Sequence, residues 1–249
     1  MILAILQARM SSTRLPGKVM ADVLGMPMIG RQLERLARCK QIDKLVVATS
    51  DDASDDPLAN WCTENGIALY RGSLRDVLAR FSSAAKAYKP TQVVRLTADC
   101  PLADPSVIDQ LIEQHLRGHF DYSNNCWHPT FPDGLDAEIV TAPWLEKLSQ
   151  VASTAMEREH VTYYFQAHKD DIRWSELKRN PPRPELRLTV DNPEDLALVR
   201  QIYQALYPAN PAFTTQDVID YLDQHPDLAQ SNQHLVRNAG STSKEKQDA

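Results

Sequence analysis

The sequence has few cysteines, and none that are paired. Cys39, Cys62, Cys100 and Cys126 are scattered, with no C-x-x-C among them. This excludes a disulfide framework and a zinc ribbon and leaves reduced, buried thiols as the expectation. No run of about 18 apolar residues occurs, so no transmembrane helix and no membrane partner are expected. The opening MILAILQARM lacks a basic n-region, and its apolar stretch is too short for a signal peptide; it reads as a first buried strand in a cytoplasmic protein. A basic excess is also missing: the net charge is −6, which argues against a nucleic-acid binder. The phosphate-loop pattern G-x-x-x-x-G-K-[ST] is absent, because Gly17-Lys18 is followed by Val19 and no glycine stands upstream. H-E-x-x-H is absent as well. No internal repeat and no linker interrupts the chain.

What remains is the composition of an ordinary enzyme-sized domain: 249 residues, 43% hydrophobic and 24% charged. The first half alternates. Strands are expected at 2–6, 44–49, 67–70 and 92–96, and helices at 27–38, 56–65, 76–88 and 105–116. Gly66 suits the end of the second helix, and Asp104 suits the N-cap before Pro105. Strands alternating with helices imply an α/β fold with a mostly parallel sheet covered on both faces. The second half breaks the pattern. Strands are expected at 133–140, 172–177 and 185–190, with a short one ending near Asn124, and helices at 154–168, 193–206 and 214–224. The reading is one domain over 1–237, with an inserted subregion near 120–177. The tail 238–249 is small, polar and charged, and is expected to be disordered.

Ligands of such sheets bind outside the carboxyl ends of the strands. The first loop there, residues 7–19, reads QARMSSTRLPGKV. Arg9, Arg14 and Lys18 supply three cations, Ser11, Ser12 and Thr13 supply hydroxyls, and Gly17 leaves the backbone approachable. A polyphosphate needs this set, with cations to neutralise it and N–H and O–H groups to donate to its oxygens. Lys18 suits charge developing at phosphorus. Taken alone, such a loop is more often a solvated basic turn; three cations at the carboxyl end of a buried strand favour phosphate binding. The segment resembles the opening A-R-x-x-S-T-R-L-P-G-K of the 3-deoxy-manno-octulosonate cytidylyltransferases, whose wider group includes acylneuraminate cytidylyltransferases. It is more similar still to the Q-A-R-M-x-S-x-R-L-P-G-K of SpsF-type spore-coat polysaccharide proteins. The resemblance implies a GT-A-like, Rossmann-like nucleotide-diphosphosugar-transferase sheet. It also implies CTP as the nucleotide, with Gln7, Ala8, Arg9, Arg14 and Lys18 around its phosphates and sugar.

Arg71-Gly72-Ser73 closes the third expected strand, and Arg75 follows. In related enzymes this loop holds the cytosine, which makes Gly72, Ser73 and Arg75 nucleotide-binding candidates; Gly72 allows close backbone approach to a ring. Arg80 is a second candidate, equally readable as a surface helix arginine. Thr97-Ala98-Asp99-Cys100-Pro101-Leu102 ends the next strand. Asp99 suits Mg2+, a hard cation that takes carboxylate oxygens, although a turn aspartate is the commoner role. The segment is similar to the family's G-D-E-P-L, with Asp99 on the metal-binding aspartate and Cys100 replacing glutamate, as in the SpsF-type subgroup. Cys100 reads as packing rather than as a nucleophile. Asp191 ends a β-branched run before Pro193, where capping and metal binding are equally compatible with the local pattern. The resemblance to V-D-x-P-E-D-L implies that Asp191 completes the metal site. Glu194 and Asp195 suit a helix N-terminus.

On the acceptor side, Asp136 and Glu138 fall on one face of an expected strand, where they could take sugar hydroxyls or a second Mg2+, or form an exposed polar face. Asn124 offers an amide for a polyol. Arg158 could clamp a sugar carboxylate and His160 its hydroxyls; the same residues could instead serve a homodimer, as the resemblance implies. The expected activity is magnesium-dependent transfer of CMP from CTP to a sugar acid, with Lys18, Arg14 and Asp99 as the catalytic residues. Two alternatives stay open. A glycosyltransferase on the same fold usually carries D-x-D where this chain has Asp99-Cys100-Pro101. A non-catalytic nucleotide-binding partner would be expected to lack Lys18 or the aspartates.

Overall fold

The computed structural model describes residues 1–235 and 237. The tail read as disordered, 238–249, lies outside the described residues. Chain order begins with β1 (Ile2–Gln7), the two-residue strands β2 (Asp22–Val23) and β3 (Met26–Pro27), α1 (Met28–Leu36), β4 (Lys44–Ser50), α2 (Asp56–Glu64), β5 (Leu69–Gly72), α3 (Val77–Tyr88), β6 (Gln92–Thr97) and α4 (Pro105–Gly118). It continues with β7 (Tyr122–Asn124), β8 (Glu138–Thr141), α5 (Ala142–Val151), α6 (Ala155–Glu159), α7 (Tyr164–Ala167) and β9 (Trp174–Glu176). It ends with α8 (Pro193–Leu206), α9 (Thr215–Gln224) and α10 (Pro226–Gln230).

Seven strands form one sheet in the order β5-β4-β1-β6-β8-β7-β9. Only the pairings of β8 with its two neighbours are antiparallel, so the sheet is mostly parallel. Because side chains alternate along a strand, each strand feeds both layers. Ala4, Leu6, Val47, Val94 and Leu96 pack under Ile29, Leu33, Leu58, Leu111 and Ile112. Leu3, Ile5, Val46, Ala48 and Val93 pack on the other face against Leu78, Phe81, Leu145 and Leu148. A third cluster joins Leu186, Leu188 and Val190 to the last helices through Val199, Ile202 and Ile219.

The strand expected at 133–140 begins only at Glu138. The backbone of Asp133 is engaged elsewhere, its N–H donating to Leu186 at 2.8 Å and its carbonyl accepting from Leu188 at 2.6 Å. For the same reason 185–190 is not a sheet strand but an extended arm, bridged to Asp133 at Arg187 and donating from Val190 to the Asp99 carbonyl. The helix expected at 154–168 is broken into α6 and α7. Val161 between them has φ 53°, and it is buried with Thr162, whose hydroxyl donates to Glu138. Tertiary contacts thus override helical spacing. The strand expected from residue 67 starts at Leu69, because the Ile67 N–H closes the turn after α2 onto Cys62. Helix α5 had no counterpart in the sequence reading. No described helix is long and apolar enough to cross a membrane.

Candidate active site

The carboxyl ends of β1 and β6 lie side by side, with Gln7 in register with Thr97. From β1 the chain builds outward through β4 and β5 and then returns to place β6 on the other side. Ligands of open α/β sheets sit at that reversal. A cavity of about 600 Å³ opens there. Its walls bring Gln7, Arg9, Thr97, Asp99 and Asp191 together with residues of the β7–β8 side of the sheet, among them Asp136, Glu138 and His160.

The first loop turns back through Gly17, whose φ of 71° favours glycine and whose N–H donates to the Met10 carbonyl at 2.9 Å. It is tied to the end of β4 by Asp55, a buried carboxylate that accepts from Met10 N at 2.7 Å, Thr49 Oγ1 at 2.9 Å and Ser50 N at 3.0 Å. The turn delivers Lys18, only 9% exposed, between two aspartates. Its Nζ lies 2.9 Å from Asp191 Oδ1 and 3.5 Å from Asp99 Oδ2, and donates to the Val190 carbonyl at 2.7 Å. Arg14 Nη2 reaches the other oxygen of Asp191 at 2.9 Å. Burial pulls the Lys18 ammonium down, but Asp99 and Asp191 outweigh it and hold it above its ordinary value. Asp99 is the mirror case: burial pushes it up, while Lys18 and the Thr97 and Cys100 side chains hold it below the usual carboxylate range.

Asp99 and Asp191 keep 31% and 21% of their side-chain surface accessible. Two converging carboxylates are a suitable hard-oxygen pair for Mg2+, whose remaining positions go to phosphate and water. Among the described residues no group of three or more His, Cys, Asp or Glu forms a closed metal cage, so the fit is to a half-site that a nucleotide would complete. Arg187 was not singled out by the sequence, yet it holds this half-site in place. It is 5% exposed and pairs with Asp133 at 3.0 Å, Asp191 at 3.3 Å and Asp195 at 2.9 Å. Asp195 is therefore a buried ion-pair partner as well as an acid at the start of α8.

Other candidates land differently. Ala8 is buried and donates its N–H to the Ala48 carbonyl at 3.1 Å, so it shapes the loop rather than presenting a donor. Gly72 ends β5 beside Arg80, whose Cγ would lie 3.3 Å from a Cβ there. Ser73 accepts from Asp76 N at 3.0 Å, and Arg75 is exposed; neither lines the cavity. Arg80 is not a surface arginine: it is 1% exposed. Its Nη1 donates to the Ser73 carbonyl at 2.7 Å, while Nε and Nη2 are buried with no partner among the described residues. Burial, with Arg9 adding to it, brings Arg80 down to about 10.

On the β8 side, Glu138 lines the cavity, but its carboxylate is committed to Arg95, Tyr122 and Thr162. Asp136 precedes the strand rather than sharing its face with Glu138, and pairs with Arg237 at 2.7 Å. Burial, opposed by Arg237 and assisted by the charge of Asp133, pushes Asp136 up to about 6. Asn124 is fully buried; its Oδ1 accepts from Cys126 N and Trp127 N, so it positions that turn instead of facing the cavity. Arg158 points away, toward Asp76 at 3.4 Å, and is not part of the wall. His160 is. Trp127, Tyr163 and Lys169 also line this side, and nothing in their sequence spacing marked them.

The cytidylyltransferase family model matches residues 3–232. The chain is 34% identical over 235 residues to the spore coat polysaccharide biosynthesis protein SpsF of Bacillus subtilis, covering 92% of this chain and 96% of that one. A cytidylyltransferase structure from Leptospira borgpetersenii superposes with a TM-score of 0.87 at 33% identity, covering 92% of this chain and 96% of that one. CMP:2-keto-3-deoxy-manno-octonic acid synthetase, solved with CTP, superposes at TM-score 0.61 and 16% identity, over 82% of this chain and 98% of that one, a likeness of fold.

Proposed function

This chain belongs to the cytidylyltransferase family, in its SpsF-type branch, and from that premise we propose that it transfers CMP from CTP to a sugar acid, releasing pyrophosphate, in the synthesis of a surface glycan. The observation that carries this reading is the meeting of Lys18, from a distant stretch of chain, with Asp99 and Asp191 of the cavity wall. The glycan setting rests on the name of the Bacillus relative, and the acid on the 3-deoxy-manno-octulosonate cytidylyltransferase of Geobacter sulfurreducens, 32% identical over 111 residues.

Arg9, Arg14 and Lys18 bind the triphosphate. Asp99 and Asp191 would hold Mg2+, which when bound would supply charge neutralisation at the reacting phosphate. Arg14 and Lys18 leave their ion pairs with Asp191 for the phosphates as CTP enters. A hydroxyl of the acid attacks the α-phosphorus in line, the bond to the bridging oxygen breaks, and pyrophosphate leaves. Positioning and charge neutralisation do most of the work, as in other phosphoryl-group transfers. The protein works in the cytoplasm, where CTP is made, and as a homodimer, which sedimentation velocity checks directly.

Incubation with CTP, Mg2+ and candidate sugar acids, followed by pyrophosphate release, tests the activity. Asp99→Asn combined with Asp191→Asn is expected to lower kcat at least about 100-fold. Undiminished turnover in that double variant would remove the metal assignment. Release of free nucleoside diphosphate from a nucleotide sugar would point to glycosyl transfer instead.

A further inference from the structure

The carboxylates around the acceptor side of the cavity each have an arginine partner. Glu138 is neutralised by Arg95, Asp136 by Arg237, and Asp133 by Arg187 and Arg237. Arg9, at the nucleotide end, lies 3.7 Å from Glu159. The carboxylates thus present a polar but electrically balanced floor, well matched to hydroxyl groups. Among the described residues, one cation of the cavity wall stands outside these pairs. Lys169 lines the cavity and makes no ion pair with any described residue. Its Nζ stands 4.6 Å from the ring centre of Trp127 and 5.7 Å from that of Trp174.

The two indoles form a rigid platform. Their ring centres are 4.9 Å apart, and Trp127 also packs 5.1 Å from Tyr122, whose ring is fully buried. The Trp127 backbone is held by the Asn124 side chain at 3.0 Å. An ammonium over such faces is held in place at the cavity wall without being neutralised. Arg158, the residue that sequence reasoning favoured for a sugar carboxylate, faces Asp76 instead.

We propose that Lys169, seated on Trp127 and Trp174, binds the carboxylate of the acceptor and selects an anionic, polyhydroxylated substrate over a neutral one. The inference rests on the reading of the acceptor as a sugar acid. A carboxylate brought to Lys169 meets a positive charge that no carboxylate of the described residues pairs with, while its hydroxyls lie toward Asp136 and Glu138, each paired with an arginine.

The test compares the wild type, Lys169→Met and Lys169→Arg by pyrophosphate release. The acceptors are 2-keto-3-deoxy sugar acids of eight and nine carbons, each with its uncharged methyl ester. The wild type is expected to prefer acid to ester at least about tenfold in kcat/KM. Lys169→Met keeps the stem over the indoles but removes the charge; it should raise KM for the acid about tenfold or more and treat acid and ester alike, with KM for CTP within about twofold of wild type. Lys169→Arg should recover much of the preference. A Lys169→Met variant that still prefers the acid overturns the anchor and leaves the proposed activity standing. If none of the acids supports pyrophosphate release, or if the esters serve the wild type equally well, the acid reading falls, and the anchor with it.

Discussion

Lys18 and Cys100 show how Asp99 sets opposite chemistry on two groups beside it. Lys18 is flanked by carboxylates that more than offset its burial, so it stays charged. Cys100 lies one residue from Asp99, and burial first, then the charges of Asp99 and Asp136, push its thiol well above its ordinary value. A thiol held protonated is a poor nucleophile. Cys100→Ala is therefore expected to keep kcat/KM within about threefold of wild type. Loss of activity in that variant would give the thiol a part in the chemistry.

At the scale of elements, the decisive contact is between the turn at Gly134 and the extended arm 185–190. Gly134 has φ 100°, and a Cβ there would lie 2.4 Å from the Thr189 nitrogen and 2.6 Å from the Leu188 carbonyl carbon. Only glycine lets the turn lie against the arm, and the arm carries Asp191 to Lys18. Gly134→Ala should cost about 2–4 kcal/mol, seen as a lower urea midpoint, and should weaken CTP binding by calorimetry because Asp191 shifts with the arm. The alternating strands β1, β4 and β6 and the helix α8 were legible from period and capping residues, since local spacing alone decides them. The break at Val161 and the strandless arm were not, because each depends on partners remote in sequence.

Across the whole molecule, two buried groups set opposing pH responses. His115 sits between Ser123 and Gln92, and burial, weakly opposed by Asp121, lowers it to about 4 from 6.5. The unfolded chain therefore binds a proton at His115 that the native state refuses, so stability rises with pH across this window. Asp136, raised to about 6 from 3.8, does the reverse: the native state keeps a proton that the unfolded chain releases, and stability falls as pH rises. Asp133, also raised, acts in the same sense as Asp136. Relative to wild type, Asp136→Asn should make urea stability climb more steeply between about pH 4.5 and 6, and His115→Gln should make it fall over the same range. Parallel profiles for the three proteins would contradict the assignment. Asp99 and Asp195, held low, titrate below that window and do not confuse it.

The sequence by itself determined the α/β class, the cationic loop 9–18 after β1 and Asp99 after β6, and it singled out Asp191 before α8. Residue type and position beside an element are both local. Only the tertiary structure decided that Lys18, Asp99 and Asp191 meet, that Arg187 and Asp55 hold them there, and that Arg158 turns away while Lys169 faces the cavity. Those outcomes follow from which buried charges must find partners, and the partners lie far along the chain, beyond the reach of any periodicity.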